Sequence, residues 1–228
     1  MTPGEPLPSS APGPRAIIFD LDGTLVDTAP DLAQATNALR RHHGLDALPF
    51  EIIRREVSNG GSALVTLALG LETDSPGHAQ ARTFLLEAYE RAVAEHSRVF
   101  PPLEHWLEEW EAQNRPWGVV TNKPRRYTEA LLEILALNPG ALVCADDLPV
   151  KKPAPDPLWA AAERLRVPPA QCWYVGDHLR DIQAAKAAGM TAVAVGYGYI
   201  AEHDDYRRWP ADLWFASCEE LVADLKTL

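Results

Sequence analysis

The sequence predicts an α/β fold: a parallel sheet covered on both faces by helices and interrupted by one helical insertion. Three observations carry this. Short apolar runs alternate with longer segments of helical period. One interval between consecutive runs is too long for a plain crossover and holds only helical pattern. Carboxylate side chains recur directly after the apolar runs, where an open parallel sheet gathers its ligands.

The strand candidates, in order, are Ala16 to Phe19, Trp117 to Val120, Ala141 to Ala145, Cys172 to Val175, Thr191 to Val195 and Leu213 to Ala216. Their short, near-continuous apolar character is that of strands buried on both faces. Helix-period segments follow most of them: Glu104 to Gln113, Arg126 to Leu137, Pro157 to Leu165, Ile182 to Ala188 and Cys218 to Lys226, with Asn138 and Gly189 placed as stops. The long interval after the first strand shows no strand pattern. It shows helical stretches at Asp31 to His42, Phe50 to Arg55, Ser62 to Ala68 and His78 to Ala94. The predicted division is therefore a core of residues 15–30 and 99–228, an inserted helical unit of residues 31–98, and a tail of residues 1–14 expected to be disordered rather than a signal peptide. That tail has five prolines and no apolar stretch or basic start.

Composition limits the partners. The chain has 228 residues, 32 acidic against 21 Lys plus Arg, and a net charge of -11. That balance opposes a nucleic-acid partner, which needs clustered positive charge, and opposes adhesion to anionic membranes. No apolar run is long enough to span a bilayer. Cys144, Cys172 and Cys218 are scattered and odd in number, which suits a reduced, cytoplasmic protein. Oligomeric state leaves no readable mark.

The segments after the strands bring chemistry to one sheet edge. Asp20-Leu21-Asp22-Gly23-Thr24 follows the first strand, and Thr121-Asn122-Lys123-Pro124 the second. Lys151-Lys152-Pro153 lies beyond the third, and Gly176-Asp177-His178-Leu179-Arg180-Asp181 follows the fourth. An aspartate at a strand end is often only a turn former or helix cap. Asp20 and Asp22 together are harder to explain that way, because alternation along an extended backbone puts both carboxylates on one side, where they repel. Such a pair calls for a cation or a shared proton. Lys123, Lys151 and Lys152 are three of only five lysines in the chain, and all lie in these loops. Carboxylates without a His or Cys cluster suit a hard ion such as Mg²⁺. One carboxylate can then attack phosphorus, a second can move the protons, and Lys152 with the Thr121 hydroxyl can hold the transferring oxygens.

Phe19-Asp20-Leu21-Asp22-Gly23-Thr24-Leu25 resembles the first motif of the haloacid dehalogenase superfamily of phosphatases. Thr121-Asn122, Lys152-Pro153 and Gly176-Asp177 with Asp181 resemble its second, third and fourth, in the family order. The resemblance runs from about Arg15 to the C-terminus. It implies a Rossmann-like core with a small α-helical cap that closes over the substrate. It implies Asp20 as nucleophile, Asp22 as general acid and base, and Thr121 and Lys152 as phosphoryl-binding groups. It further implies Mg²⁺ held by Asp20, the Asp22 main-chain carbonyl and Asp177, with Asp181 supporting them. His178 stands where members often carry Asp, Ser or Thr.

Val26-Asp27-Thr28-Ala29-Pro30-Asp31-Leu32 is similar to phosphoglycolate phosphatases. Gly118 to Pro124, His96-Ser97 with Phe100, and Tyr197-Gly198-Tyr199-Ile200 resemble the branch acting on N-acetylmuramic acid 6-phosphate in cell-wall recycling. The substrate is thus expected to be a small phosphate ester bearing a carboxylate. Asn59-Gly60-Gly61-Ser62 reads either as a substrate loop between two helices, with Asn59 and Gly60 as contacts, or as a plain turn. Arg54 or Arg55 is expected to meet the substrate carboxylate, and Asn122 to contact substrate. A phosphomutase would use the same nucleophile. A dehalogenase would need neither Asp22 nor the metal carboxylates, and a phosphoacceptor signalling domain would need no helical cap.

Overall fold

In the computed structural model, which describes residues 13–227, strand β1 (Ala16–Phe19) lies inside a six-stranded sheet. A short strand β2 (Val26–Asp27) follows β1, and β3 (Arg98–Val99) closes the long interval. Then come β4 (Trp117–Val120), β5 (Ala141–Val143), β6 (Cys172–Gly176), β7 (Thr191–Val195) and β8 (Leu213–Phe215). The sheet order is β5-β4-β1-β6-β7-β8, and every pairing in it is parallel. The chain steps from β1 to one side and later returns to β6 on the other. The carboxyl ends of β1 and β6 therefore flank the point where the strand order reverses.

Alternation along β1 explains the layers. Ile17 and Phe19 join one core with Leu103, Trp106 and Trp110 of α5 (Leu103–Ala112), Leu131 of α6 (Arg125–Ile134) and Leu221 of α9 (Cys218–Leu225). Ala16 and Ile18 join the opposite core, with Leu158 of α7 (Asp156–Leu165) and Ile182 of α8 (Leu179–Ala188). All four β1 side chains are fully buried, as the two-sided burial of a parallel sheet requires.

The long interval contains α1 (Ala29–His42), α2 (Phe50–Arg54), α3 (Gly60–Leu69) and α4 (His78–Arg91), with a 3-10 turn at Val57–Asn59. These helices have their own apolar centre, with Leu39, Ile53, Leu64 and Leu85 fully buried in it. The sequence shows no strand here, but the structure has two. β2 and β3 pair antiparallel, Val26 with Val99 and Asp27 with Arg98, at the two ends of the helical unit. Two residues are too few to leave an alternation pattern. A second difference concerns Asn138: α6 ends at Ile134, and the left-handed residue is Ala136, at φ 54°. Gly189 does stand in the left-handed region after α8. Most of the proline-rich segment, residues 1–12, lies outside the described residues. Pro14 is buried, and its carbonyl accepts a hydrogen bond from Arg115 at 2.9 Å.

Two buried polar groups fix where the helical unit leaves and returns. The Tyr199 hydroxyl accepts from the backbone N–H groups of Thr28 (2.6 Å) and Ala29 (2.8 Å) and donates to Asp27 (2.7 Å), so it caps α1 where no side chain of α1 does. Asp31 accepts from the backbone of His96 and Ser97, both at 2.9 Å, and from the Ser97 hydroxyl at 2.5 Å. Asp31→Ala leaves these donors without an acceptor. A loss of about 2–4 kcal/mol in urea unfolding is expected; a change within about 0.5 kcal/mol, the range of an ordinary surface substitution, would remove Asp31 from this role.

Candidate active site

Four carboxylates and two buried lysines meet at the sheet edge described above. Asp20 leaves β1, Thr121, Asn122 and Lys123 follow β4, Lys152 comes from the loop after β5, and Asp177 and Asp181 lie just beyond β6 and in the first turn of α8. The Lys152 ammonium is almost wholly buried. It stands 2.7 Å from Asp20 Oδ1 and 2.8 Å from Asp181 Oδ1, and it donates to the Val120 carbonyl (3.0 Å) and the Tyr174 hydroxyl (2.8 Å). Burial alone would lower its pKa, but the carboxylates of Asp181 and Asp20 outweigh this and raise it. The lysine therefore stays charged.

Asp22 has a lysine of its own. Its Oδ1 accepts from Lys123 Nζ at 2.9 Å and from the Thr28 hydroxyl at 2.6 Å. The repulsion expected between Asp20 and Asp22 is thus met by one ammonium for each. The sequence marked Lys123 only as one of three clustered lysines; its pairing with Asp22 depends on bringing β4 beside β1. Asn122, predicted to contact substrate, lines the cavity and also pins the backbone of Lys152: Nδ2 donates to the carbonyl at 3.0 Å and Oδ1 accepts from N–H at 3.1 Å. Thr121 is buried, and its hydroxyl accepts from the Lys123 backbone at 3.1 Å.

One oxygen each of Asp20, Asp177 and Asp181 falls within 4.8 Å of the others. Burial first, then mutual repulsion, raises Asp177 from 3.8 to about 7. Burial likewise raises Asp20 to about 6, against the opposing pull of Lys152. Asp181 Oδ1 is buried and faces Lys152, yet has no well-directed hydrogen bond. Three hard oxygen donors with excess negative charge fit a small divalent cation. Gly23 and Gly198 press against Asp177, and a methyl group on either would overlap its carboxylate. Asp177 accepts from Thr24 (3.2 Å), from the Tyr199 backbone (2.7 Å) and, from the helical side, from the Ser58 hydroxyl (3.3 Å).

His178 has a structural place. Its Nδ1 accepts from the Arg180 backbone at 3.2 Å, while Asp181 Oδ2 accepts from the His178 backbone at 3.1 Å, a reciprocal cap on α8. Burial, then the neighbouring Arg180, lowers it to about 4, so the imidazole is neutral at pH 7. The Arg180 guanidinium donates to the Ser58 carbonyl at 2.8 Å and to Asn59 at 3.2 Å, joining α8 to the 3-10 turn.

A cavity of about 410 Å³ opens between this cluster and the helices, with Asp20, Asp22, Thr121 and Lys152 in its floor. Neither arginine proposed from sequence to meet a carboxylate lines it. Arg54 donates to the carbonyls of Gly198 (3.0 Å) and Tyr197 (2.9 Å) and lies over the Tyr199 ring, whereas Arg55 pairs with Glu202 at 2.7 Å. Both guanidiniums are committed to the loop after β7. Arg82 and Arg180 line the cavity instead. Asn59 and Gly60 do reach it, but the glycines form no interhelix loop: Gly60, Gly61 and Ser62 are the first turn of α3.

Similar proteins agree on a family. Residues 14–189 match a model described as haloacid dehalogenase-like hydrolase. The chain is 40% identical to an N-acetylmuramic acid 6-phosphate phosphatase of Pseudomonas putida, over 87% of this chain and 90% of that protein. It is 38% identical to a phosphoglycolate phosphatase of Xanthomonas campestris pv. campestris, over 88% and 91%. The crystal structure of a predicted phosphoglycolate phosphatase from Haemophilus somnus superposes with a TM-score of 0.81 at 27% identity, covering 93% and 96% of the two chains.

The raised carboxyls fix the sign of a pH effect on the chelated protein. A carboxyl whose folded value exceeds its unfolded one contributes stability that is full below about 3.8 and lost as pH rises through about 7. His178, lowered to about 4, acts in the opposite sense over the same range, so in excess chelator Tm should fall further from pH 5 to pH 8 in the parent than in Asp177→Asn, and added Mg²⁺ should raise the parent Tm more at pH 8. A parent Tm that falls no further than that of Asp177→Asn would contradict the assignment of buried, mutually repelling carboxylates.

Proposed function

The chain belongs to the haloacid dehalogenase-like hydrolase family and is a phosphoric monoester hydrolase, and from that premise we propose that it hydrolyses N-acetylmuramic acid 6-phosphate through an aspartyl-phosphate on Asp20. The observation that carries the reaction is the pairing of each front carboxylate with its own lysine beside a three-carboxylate cluster. Asp20 Oδ1 is engaged by Lys152 and by the Leu21 N–H at 2.7 Å. Its second oxygen has no hydrogen bond among the described residues and is the nucleophile.

Asp20 attacks phosphorus, the ester P–O bond breaks, and the departing oxygen takes a proton from Asp22. Asp22 then removes a proton from water. The resulting hydroxide attacks phosphorus, breaking the bond to Asp20 and restoring its carboxylate. Lys152, with the Thr121 hydroxyl, holds the transferring oxygens and offsets their charge. Lys123 keeps Asp22 aimed at the cavity. Asp20, Asp177, Asp181 and the Asp22 carbonyl would hold Mg²⁺, which when bound neutralises phosphoryl charge. The helices of residues 31–98 act as the cap. No helix among the described residues is long and apolar enough to cross a membrane. The three thiols are free and buried, which supports a cytoplasmic setting.

Cavity size favours the muramate ester over phosphoglycolate. Sequence identities of 40% and 38% do not separate the two. A space of about 410 Å³ has the size of a site for a drug-sized ligand, of which a two-carbon ester would fill a small part.

Asp20→Asn should lower kcat by at least about 10³-fold, the scale of losing a covalent nucleophile, and abolish acid-stable trapping of labelled phosphate. Turnover near that of the parent protein would refute the nucleophile. Chelation should stop turnover and Mg²⁺ should restore it. A comparison of kcat/KM for N-acetylmuramic acid 6-phosphate, phosphoglycolate and hexose phosphates decides the substrate, and a preference for phosphoglycolate overturns the muramate assignment.

A further inference from the structure

Five cations line the cavity, and most are already engaged. Lys152 is held by Asp20 and Asp181, Lys123 by Asp22, and Arg180 by Ser58 and Asn59. Among the described residues, the side chains of Arg82 and Lys151 make no ion pair or hydrogen bond. Lys151 belongs to the loop beside Lys152, on the phosphoryl side. Arg82 belongs to α4, on the helical side, with an exposed side chain.

One further feature lies where Arg82 stands. A Cβ on Gly61 would lie 3.7 Å from Arg82 Nε and 3.4 Å from Leu86. The guanidinium is therefore beside the first turn of α3. That turn, Gly60 to Ser62, lines the cavity, and its preceding Asn59 gives it no side-chain cap. A helix N-terminus presents free N–H groups and a partial positive charge, which favours an anion. Tyr89, two turns further along α4, lies instead on the catalytic side of the cavity wall, with Lys123 Nζ 4.5 Å from the centre of its ring.

We propose that Arg82 is a specificity-determining residue, which with the α3 first turn forms a second anion subsite for the carboxylate of the substrate. This rests on the reading of the substrate as a carboxylate-bearing phosphate ester. Arg82 forms a charge-assisted bond to the carboxylate, and the Gly61 and Ser62 N–H groups share the negative charge. The phosphoryl group remains with Lys152 at the opposite end. The subsite assigns to Arg82 the task that the sequence suggested for Arg54 or Arg55, whose guanidiniums are spent on backbone carbonyls and on Glu202.

The test uses two pairs of esters in which one member carries a carboxylate: N-acetylmuramic acid 6-phosphate against N-acetylglucosamine 6-phosphate, which lacks the lactyl ether, and phosphoglycolate against 2-hydroxyethyl phosphate, its alcohol-ended analogue. For the full-length parent, Arg82→Ala, Arg82→Lys and Lys151→Ala, the ratio of kcat/KM within each pair is measured. Arg82→Ala should lower the ratio by about 10- to 100-fold, the scale of one charged hydrogen bond, mainly through KM for the carboxylated member. Arg82→Lys should recover part of it, and Lys151→Ala should leave it near the parent value. Arg82 is exposed, so its variants should keep the parent Tm. A parent that favours carboxylated esters while Arg82→Ala keeps the preference overturns the subsite and leaves the substrate reading intact. A fall confined to Lys151→Ala moves the anion to the loop and also overturns it. A parent that favours phosphoglycolate over the muramate ester refutes that substrate, and a fall in its ratio with Arg82→Ala still supports the subsite. A parent indifferent to the carboxylate in both pairs overturns both.

Discussion

A lysine with its charge buried beneath the sheet edge is the constraint on which the rest of the site depends. An ammonium removed from water is stable only where opposite charges and well-placed acceptors replace the lost hydration. Around Lys152 these are Asp20, Asp181, the Val120 carbonyl and Tyr174, drawn from four different segments. Satisfying one lysine therefore fixes the relative position of the ends of β1, β4 and β6 and the start of α8. Asn122 adds a fixed backbone, pinning the residue that carries the ammonium through both of its own amide groups. The same requirement explains why the carboxylates exceed the lysine's charge. Asp177 has no ammonium against it and is raised chiefly by burial, so the cluster is left short of positive charge at the point where a cation fits.

The glycines near this cluster follow from the same crowding. Gly23, at φ 82°, takes a backbone conformation costly to other residues and lies where a side chain would overlap Asp177. Gly198 meets the same carboxylate from the loop after β7. That loop also receives Arg54 and supplies Tyr199, whose hydroxyl caps α1 and whose backbone N–H binds Asp177. One residue thus ties the first helix of the insertion to the acidic cluster. Ser58 and Arg180 make the second connection, so the helical unit meets the sheet through groups that also touch the site. The acid excess of the whole chain does not repel a phosphate ester here, because the local field is set by these few buried and cavity-lining charges.

Much of the architecture was legible because parallel strands buried on both faces and amphipathic helices leave strong local patterns. Ala16 to Phe19 and Thr191 to Val195 are strands at those residues in the structure. The acidic residues at strand ends were legible for the same reason: once the strands are placed, topology brings their carboxyl ends together. Patterns of two residues carry no period, so β2 and β3 were missed. Gly60 and Gly61 read as loop because glycine has poor helix propensity, yet they open α3, where the first turn tolerates it.

What the sequence determined by itself was the set of candidate reacting groups and the edge on which they gather, since both depend on order along the chain and on local periodicity. Tertiary structure alone decided which charge answers which. Lys123 went to Asp22, Asn122 to the Lys152 backbone, His178 to a helix cap, and Arg54 and Arg55 to the loop after β7. Arg82, unmarked in sequence among seven arginines of residues 31–98, was left facing the cavity. A long side chain reaches several partners within its own length. Which one it meets is set by the packing of distant helices, and no local pattern records that.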